Sequence, residues 1–462
     1  MPVLENFEKE HSSDRLHQLN DALESGMFVQ VRAMLNQLPP ADVAHMLEST
    51  PPKERKVLWR LVDSEREGEV LQFLNEDLLT SFAEEMAPEQ LAAAMSNLDT
   101  DDLADIIGDL PDKITDEVLA SLDFQDRTRI EKALQYPEDT AGGLMNTDTI
   151  TVRAAVTIEV VLRYLRMQKE IPKSTDSIYV VDTDDKLIGT VQLSTLITSQ
   201  PDQMVEEVLD HEIEAINVSL PDADVASIFE RRDLVSAPVV DDQDKLLGRI
   251  TIDDVLDVII EDADHSLMSM AGLDESDDTF APVFTSARRR ALWLGINLIT
   301  VIAAASLIGI FEKSIQAVAA LAILLPIVPS MGGIAGTQSL TLVIRGMSIG
   351  HISSNNFRWL VFKELGVSLL NGLLWALVVG LSAYFWFINT ENYAVYAMGL
   401  GISVGGAMVI NLVAGAIIGA VLPMVLTKMD MDPALSGGVI LTTATEMIGF
   451  ISFLGLATIL VA

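Results

Sequence analysis

Five uncharged stretches dominate the second half of the chain. Leu292 to Phe311, Ile315 to Ile344, Leu365 to Ile388 and Asn392 to Thr427 hold no charged residue, and Pro433 to Ala462 holds one, Glu446. About 20 helical residues cross a hydrocarbon core of about 30 Å, so each stretch is long enough to span a bilayer. Five in succession exclude a soluble core and predict an all-helical membrane domain. Basic residues set its orientation. Arg288, Arg289 and Arg290 precede the first span, Arg345, Arg358 and Lys363 lie between the second and third, and Lys428 lies between the fourth and fifth. Placing the N-terminus in the cytoplasm puts these seven inside and leaves only Lys313 outside. The C-terminus then faces out. Met1 to Asn20 is polar, without the apolar core of a signal peptide, so targeting is expected to come from the spans themselves.

The formal net charge of −37 is unevenly spread. Of 67 acidic residues 61 precede Val283, against 22 of 30 basic ones. Such a polyanion repels nucleic acid and anionic headgroups, and its natural small partners are cations. The chain has no cysteine, which excludes disulfides and thiolate metal sites. No nucleophile–base pattern or phosphate loop appears, so an enzyme is not expected.

Two spans carry features that lipid does not tolerate idly. Leu325 to Gly333 places Pro326, Pro329, Gly332 and Gly333 at mid-membrane. Proline removes an amide, and broken backbone at that depth must be buried in protein or line a water-filled path. Freed carbonyls are ligands for hard cations, and a packing kink is the other reading. Glu446 follows Thr442-Thr443-Ala444-Thr445. A carboxylate at the bilayer centre costs on the order of 3 kcal/mol. A cation held with the threonine hydroxyls neutralises it most simply; a protonated structural side chain and a proton relay are the alternatives.

The acidic half reads as two parts. Residues 1–140 repeat one pattern, a proline or acid followed by apolar positions three and four apart, as in Pro39 to Leu47, Pro88 to Met95 and Asp99 to Ile107. This predicts a small superhelical array of short helices, in which His45 is a surface or packing residue. Residues 141–262 contain an internal repeat. Tyr179-Val180-Val181-Asp182 through Gly189 recurs as Pro238-Val239-Val240-Asp241 through Gly248, 59 residues on. Each copy reads strand, acidic turn, strand, helix. The second runs into an acid-rich helix on which Asp254, Asp257 and Glu261 share a face, either as a solvated surface or as ligands for a divalent ion.

The paired repeats resemble cystathionine-β-synthase-type (CBS) regulatory domains. Such pairs often hold adenine nucleotides, and Thr251 and Asp254 match the ribose-contacting Thr-x-x-Asp, whereas the first repeat has Gln192 and Thr195 there. ATP is therefore a candidate regulatory ligand. Over nearly its whole length the chain resembles the MgtE family of magnesium transport proteins. The resemblance is carried by Asp139-Thr140-Ala141-Gly142-Gly143-Leu144-Met145, by Gly332-Gly333-Ile334-Ala335-Gly336-Thr337-Gln338-Ser339, by Asp432-Pro433-Ala434 and by Thr442-Thr443. It implies a multidomain fold: an α-helical superhelical domain (1–140), two α/β CBS repeats (141–200 and 201–262), a connecting helix (263–283) and a five-helix membrane domain (284–462). It further implies a homodimer in the cell's plasma membrane, with a pore on the dimer axis that carries Mg²⁺ inward and is gated by cytoplasmic Mg²⁺.

The matching pore acid is Glu446, accompanied on the conduction path by Thr442, Thr443, Gly332, Gly333 and Asp432. Matching sensing acids are Asp101, Asp105, Asp233, Asp254, Asp257 and Asp262. Three positions depart from the family pattern: Glu446 where an aspartate is usual, Ile334 in place of asparagine, and His265 in a stretch that is usually acidic. The first two touch ion selectivity and leave room for Co²⁺, Mn²⁺ or Ca²⁺. A proton- or Na⁺-coupled metal transporter is the rival expectation.

Overall fold

A computed structural model describes Ser25 and residues 27–461, apart from 96–97, 123–126, 129, 131–133, 169–170, 275–276, 354 and 430. The polar stretch Met1 to Asn20 lies outside the described residues. The chain divides into two compact units, Met1–Asp262 with Ser276–Val283, and Ala263–Glu275 with Phe284–Ala462.

Among the described residues the first unit begins with eight short helices: α1 (Phe28–Leu35), α2 (Pro40–Glu48), α3 (Pro52–Trp59), α4 (Glu67–Leu71), α5 (Glu76–Glu85), α6 (Pro88–Met95), α7 (Thr100–Gly108) and α8 (Asp112–Ser121). Pro40 and Pro52 open their helices, where the missing amide would be unpaired anyway. Asn75 caps α5 by accepting from the Leu78 amide at 3.1 Å. The apolar faces meet in one core, with Leu47, Leu58, Leu71 and Met95 fully buried and Trp59 stacked on Phe82 at 4.5 Å.

The two repeats build two three-stranded sheets, β1 (Thr151–Val152), β2 (Ser177–Val181), β3 (Leu187–Gln192) and β4 (Ile216–Asn217), β5 (Ser236–Val240), β6 (Leu246–Thr251). In each, the first two strands are parallel and the last two antiparallel. Helices α9 (Ile158–Met167), α10 (Leu193–Thr198), α11 (Val205–Val208) and α12 (Asp222–Arg232) pack beside them. The acidic turns are built alike. The Asp182 carboxylate accepts from the amides of Asp184 and Lys186 at 2.8 and 2.9 Å, and Asp241 accepts from Gln243 and Lys245 at the same distances. Asp185 and Asp244 both take positive φ, 62° and 61°. The two turn tips pair with each other, Leu187 N to Asp244 O at 2.9 Å and Leu246 N to Asp185 O at 3.1 Å.

The Asp139–Met145 motif precedes the first repeat in the chain but packs into the second. Ala141 N donates to Leu220 O at 2.7 Å and Gly142 N to Val218 O at 2.9 Å, and Ala141 and Met145 are buried in the second repeat's core. The connecting segment differs from the helix expected over 263–283. Helix α13 (Ile252–Met270) starts inside the second repeat and stops at Met270, because Gly272 at φ +71° turns the chain against the Trp293 ring.

Among the described residues five helices are long and apolar enough to cross a membrane: α14 (Val283–Ile310), then, after the short α15 (Glu312–Ala317), the Ala320–Ser348 span formed by α16 (Ala320–Leu324) and α17 (Ile327–Ser348), then α18 (Phe357–Ile388), α19 (Ala397–Thr427) and α20 (Pro433–Leu460). Helix α19 is the hub, packed on α17, α18 and α20. Small residues let it approach, as lipid requires when no hydrophobic drive separates helix from solvent: Gly332 meets Gly415, Gly336 meets Gly419, and Gly380 meets Gly401.

The expected disruption from Leu325 to Gly333 shrinks to Leu325-Pro326. Helix α17 resumes at Ile327 and runs through Pro329, Gly332 and Gly333. Pro329 falls in its first turn, where amides have no intrahelical acceptor, so the helix loses little. Gly332 serves close packing rather than a freed carbonyl, since a Cβ there would overlap the Asn411 amide. Gly332→Val should overpack this seam by about 1–3 kcal/mol, lowering the melting temperature of the detergent-purified protein. An unchanged melting temperature would show that the seam yields.

Candidate functional site: an intramembrane carboxylate and an acidic cluster in the first unit

Helices α17 and α20 together line a cavity of about 420 Å³. From α17 come Pro329, Ser330, Gly333, Ile334, Thr337 and Gln338; from α20 come Thr442, Thr445 and Glu446. Residues 442, 445 and 446 share a face at helical spacing. Glu446 is half-buried, and among the described residues no hydrogen bond or ion pair engages its carboxylate. The Thr442 hydroxyl donates to Gly438 O at 2.8 Å and that of Thr445 to Leu441 O at 2.9 Å. With its proton spent on the helix, the Thr442 oxygen at the cavity wall presents lone pairs to whatever enters. One carboxylate, hydroxyl oxygens and the Gln338 amide form a hard, oxygen-rich set. Among the described residues no group of three or more His, Asp or Glu is arranged to hold a metal ion. A hydrated cation, met by one carboxylate and by hydroxyls through its own waters, is what this wall accommodates.

Three residues expected on this path stand apart from the cavity. Gly332 faces Asn411, as above. The Thr443 hydroxyl donates to Val439 O at 2.7 Å and lies off the lining face. Asp432 is the N-cap of α20, accepting from the amides of Ala434 and Leu435 at 2.8 Å each, and its carboxylate lies 3.5 Å from His265 Nε2 on α13. A Pro at N1 preceded by Asp is a capping signal, which accounts for that placement.

Two intramembrane polar residues escaped the sequence reading. Glu364 on α18 is buried, its Oε2 accepting from Ser339 at 2.7 Å and its Oε1 from Lys363 at 2.6 Å. It borders a second cavity of about 420 Å³ to which Ile334 and Gln338 also contribute. Its position one residue before the third uncharged stretch hid it. Asn411, fully buried, is the one amide side chain in α19; its Nδ2 donates to Val328 O at 2.8 Å. That lone amide in an apolar run was the available signal.

In the first unit, carboxylates of α7 face those of α13. Burial raises Asp101 well above the usual carboxylate range, with the Asp254 charge next in weight, and Asn146 Nδ2 donates to Asp101 at 3.1 Å. Burial likewise lifts Asp102 to about 6, Asp105 to about 8, Asp109 to about 6 and Asp254 to about 6. Asp257 is raised by burial and by Asp253. Neighbouring negative charges add to the rise in every case. Thus Asp101, Asp105, Asp254 and Asp257 are brought together, joined by the unforeseen Asp102, Asp109 and Glu138. Asp262 lies elsewhere, beside Asp139 and Asp222, whose carboxyl is raised by burial. Asp233 is the left-handed C-cap of α12 and does not join either group.

A multi-pass membrane fold with a cavity facing one carboxylate of a spanning helix, joined to an acidic unit of short helices and paired sheets, fits the class of divalent-cation transporters. The comparisons with known proteins place it further. Residues 325–456 match the MgtE divalent cation transporter family, 38–139 the MgtE intracellular N domain, and 141–202 and 205–261 the CBS domain. The chain belongs to the MgtE family. The magnesium transporter MgtE of Thermus thermophilus is 29% identical over 96% of this chain and 97% of its own, and that of Bacillus subtilis is 26% identical over 94% and 95%. Among solved structures, the cytosolic domain of the Mg²⁺ channel MgtE in complex with ATP is 30% identical, covering 53% of this chain and 99% of that one, with a TM-score of 0.49.

Proposed function

We propose that the protein carries Mg²⁺ into the cytoplasm across the plasma membrane as a homodimeric channel, and that cytoplasmic Mg²⁺ closes it. The observation that carries the permeation reading is Glu446, a carboxylate in a membrane helix with no partner among the described residues, facing a cavity it shares with Thr442 and Gln338. Mg²⁺ gives up its water reluctantly, so the ion passes hydrated, its waters donating to Glu446, Thr442 and Gln338. The longer, more mobile carboxylate of a glutamate and the apolar Ile334 soften the site relative to the family pattern, which favours passage of Co²⁺ and Mn²⁺ as well.

The sensing reading rests on α7 against α13. At neutral pH, carboxylates raised only to about 6 are ionised and repel one another. Hydrated divalent ions among Asp101, Asp105, Asp254 and Asp257, met through their own waters rather than by a preformed ligand set, convert repulsion into a bridge and hold the helical array on the CBS pair. Withdrawal of the ions releases it, and α13, continuous from the second repeat to Met270, transmits the change. Ions shift this equilibrium only through their different affinity for the two arrangements.

ATP enters as a regulatory ligand of the second repeat alone. Thr251 donates from its amide and hydroxyl to one oxygen of Asp254, at 3.1 and 2.9 Å, leaving the other oxygen for a ribose hydroxyl pair.

The same unpartnered Glu446 would serve a proton- or Na⁺-coupled transporter. Uptake into vesicles of purified protein decides. Mg²⁺ uptake should follow voltage and the Mg²⁺ gradient, and Co²⁺ and Mn²⁺ in excess should depress it severalfold. Uptake that instead requires a pH or Na⁺ gradient would establish the coupled mechanism.

A further inference from the structure

Arg55, on α3 of the helical array, is 4% exposed in a chain of large negative charge. Its guanidinium grips Asp278 with both arms, Nη1 to Oδ2 at 2.7 Å and Nη2 to Oδ1 at 3.1 Å. Its Nε donates to the carbonyls of Leu47 and Thr50 at 2.9 and 3.0 Å. The Asp278 side chain is 7% exposed; its Oδ1 also accepts from the Phe280 amide at 2.9 Å. The two residues are 223 positions apart, and segment Ser276–Val283 belongs to the first unit. The planar guanidinium fork is the group suited to a bidentate carboxylate contact, and charge assistance makes such a contact strong.

The segment around Asp278 is itself acidic, with Asp274 and Asp277 nearby in the chain. Coulomb's law pushes it away from the acidic helical array. A buried arginine, aimed by the α2–α3 turn, supplies the charge that counters this, beside a longer hydrogen bond from the Asp278 amide to Asp77 at 3.4 Å. Val283, where the first membrane helix begins, is five residues past Asp278, a span of at most about 17 Å when fully extended.

We propose that Arg55 and Asp278 are positioning residues of the gate: they fasten the helical array directly to the entry of the first membrane helix, a second line of coupling parallel to α13. This rests on the reading that Mg²⁺ holds the array in place when the channel is closed. The latch is engaged in that closed arrangement. When the array swings away it lets go of Asp278, and the start of the first membrane helix is freed.

The absence of cysteine makes the test specific. In an Arg55→Cys/Asp278→Cys double variant, a short reductant-cleavable bis-thiosulfonate reagent bridges the two sites. Vesicle flux is then followed as internal Mg²⁺ is withdrawn. The bridged protein is expected to stay shut, at least tenfold below wild type, and reductant applied to the same vesicles restores flux, which shows that the protein is folded. Arg55→Met and Asp278→Asn should each raise the Mg²⁺ needed for half-closure severalfold, with the double variant no worse than either alone. Bridged protein that opens like wild type, or single effects that add, would reduce the pair to a packing contact. A wild type whose flux ignores internal Mg²⁺ would overturn the sensing reading itself, and the latch with it.

Discussion

Replacing Glu446 by glutamine should reduce Mg²⁺ uptake by at least about 100-fold, equivalent to about 2.7 kcal/mol of lost stabilisation of the passing ion, while making the membrane domain no less stable. The amide keeps the side chain's shape and removes its charge. That charge costs on the order of 3 kcal/mol at the bilayer centre, and in the described residues no donor or base offsets it. The melting temperature of the glutamine variant in detergent should therefore hold or rise as flux disappears. A merely structural glutamate predicts the reverse pairing, lower stability with flux in proportion to folded protein. Glu446→Asp, which restores the residue usual in the family, should keep Mg²⁺ uptake and narrow the passage of Co²⁺ and Mn²⁺. Wild-type flux in Glu446→Gln would remove this residue from the path.

The second large effect is an exchange of protons for Mg²⁺ at the α7–α13 interface. Burial and mutual repulsion raise Asp102, Asp109 and Asp254 to about 6 and Asp105 to about 8. A carboxyl raised above its unfolded value of about 3.9 binds its proton more tightly when docked. Its contribution to docking is complete below about pH 4 and is lost as pH climbs through 6 to 8. Acid and Mg²⁺ therefore do the same work. At pH 5 the linker after the helical array should resist protease with or without Mg²⁺. At pH 8, withdrawing millimolar Mg²⁺ should speed cleavage at least tenfold. Asp105→Asn, a fixed mimic of the protonated state, should weaken the Mg²⁺ requirement at pH 8. Equal cleavage at pH 8 with and without Mg²⁺ would rule out sensing at this interface.

Much of this architecture is local and so can be read along the chain. A run without charge, a helical period of apolar residues and a strand–turn–strand pattern repeated after 59 positions each depend on near neighbours. The five spans, the short helices and the twin sheets appear where those signals lie. Glu446 was conspicuous for the same reason: a lone acid in an apolar run has no innocent explanation within its own helix.

The remainder turned on which distant segments meet. Nothing along the chain says that Ala141 and Met145 fill the second repeat's core rather than the first's, because both cores are apolar and the choice depends on strand ends converging in space. The role of Gly332 depended on Asn411 lying across from it. That of Pro329 depended on where the helix restarted. Glu364 acquired meaning from Ser339 and Arg55 from Asp278. By itself the sequence determined the kinds of element, the membrane spans and the sign of the charge, since these follow from composition and period. The tertiary structure alone decided which carboxylates are buried together and which stand unpartnered, because desolvation and Coulomb repulsion act through space and not along the backbone.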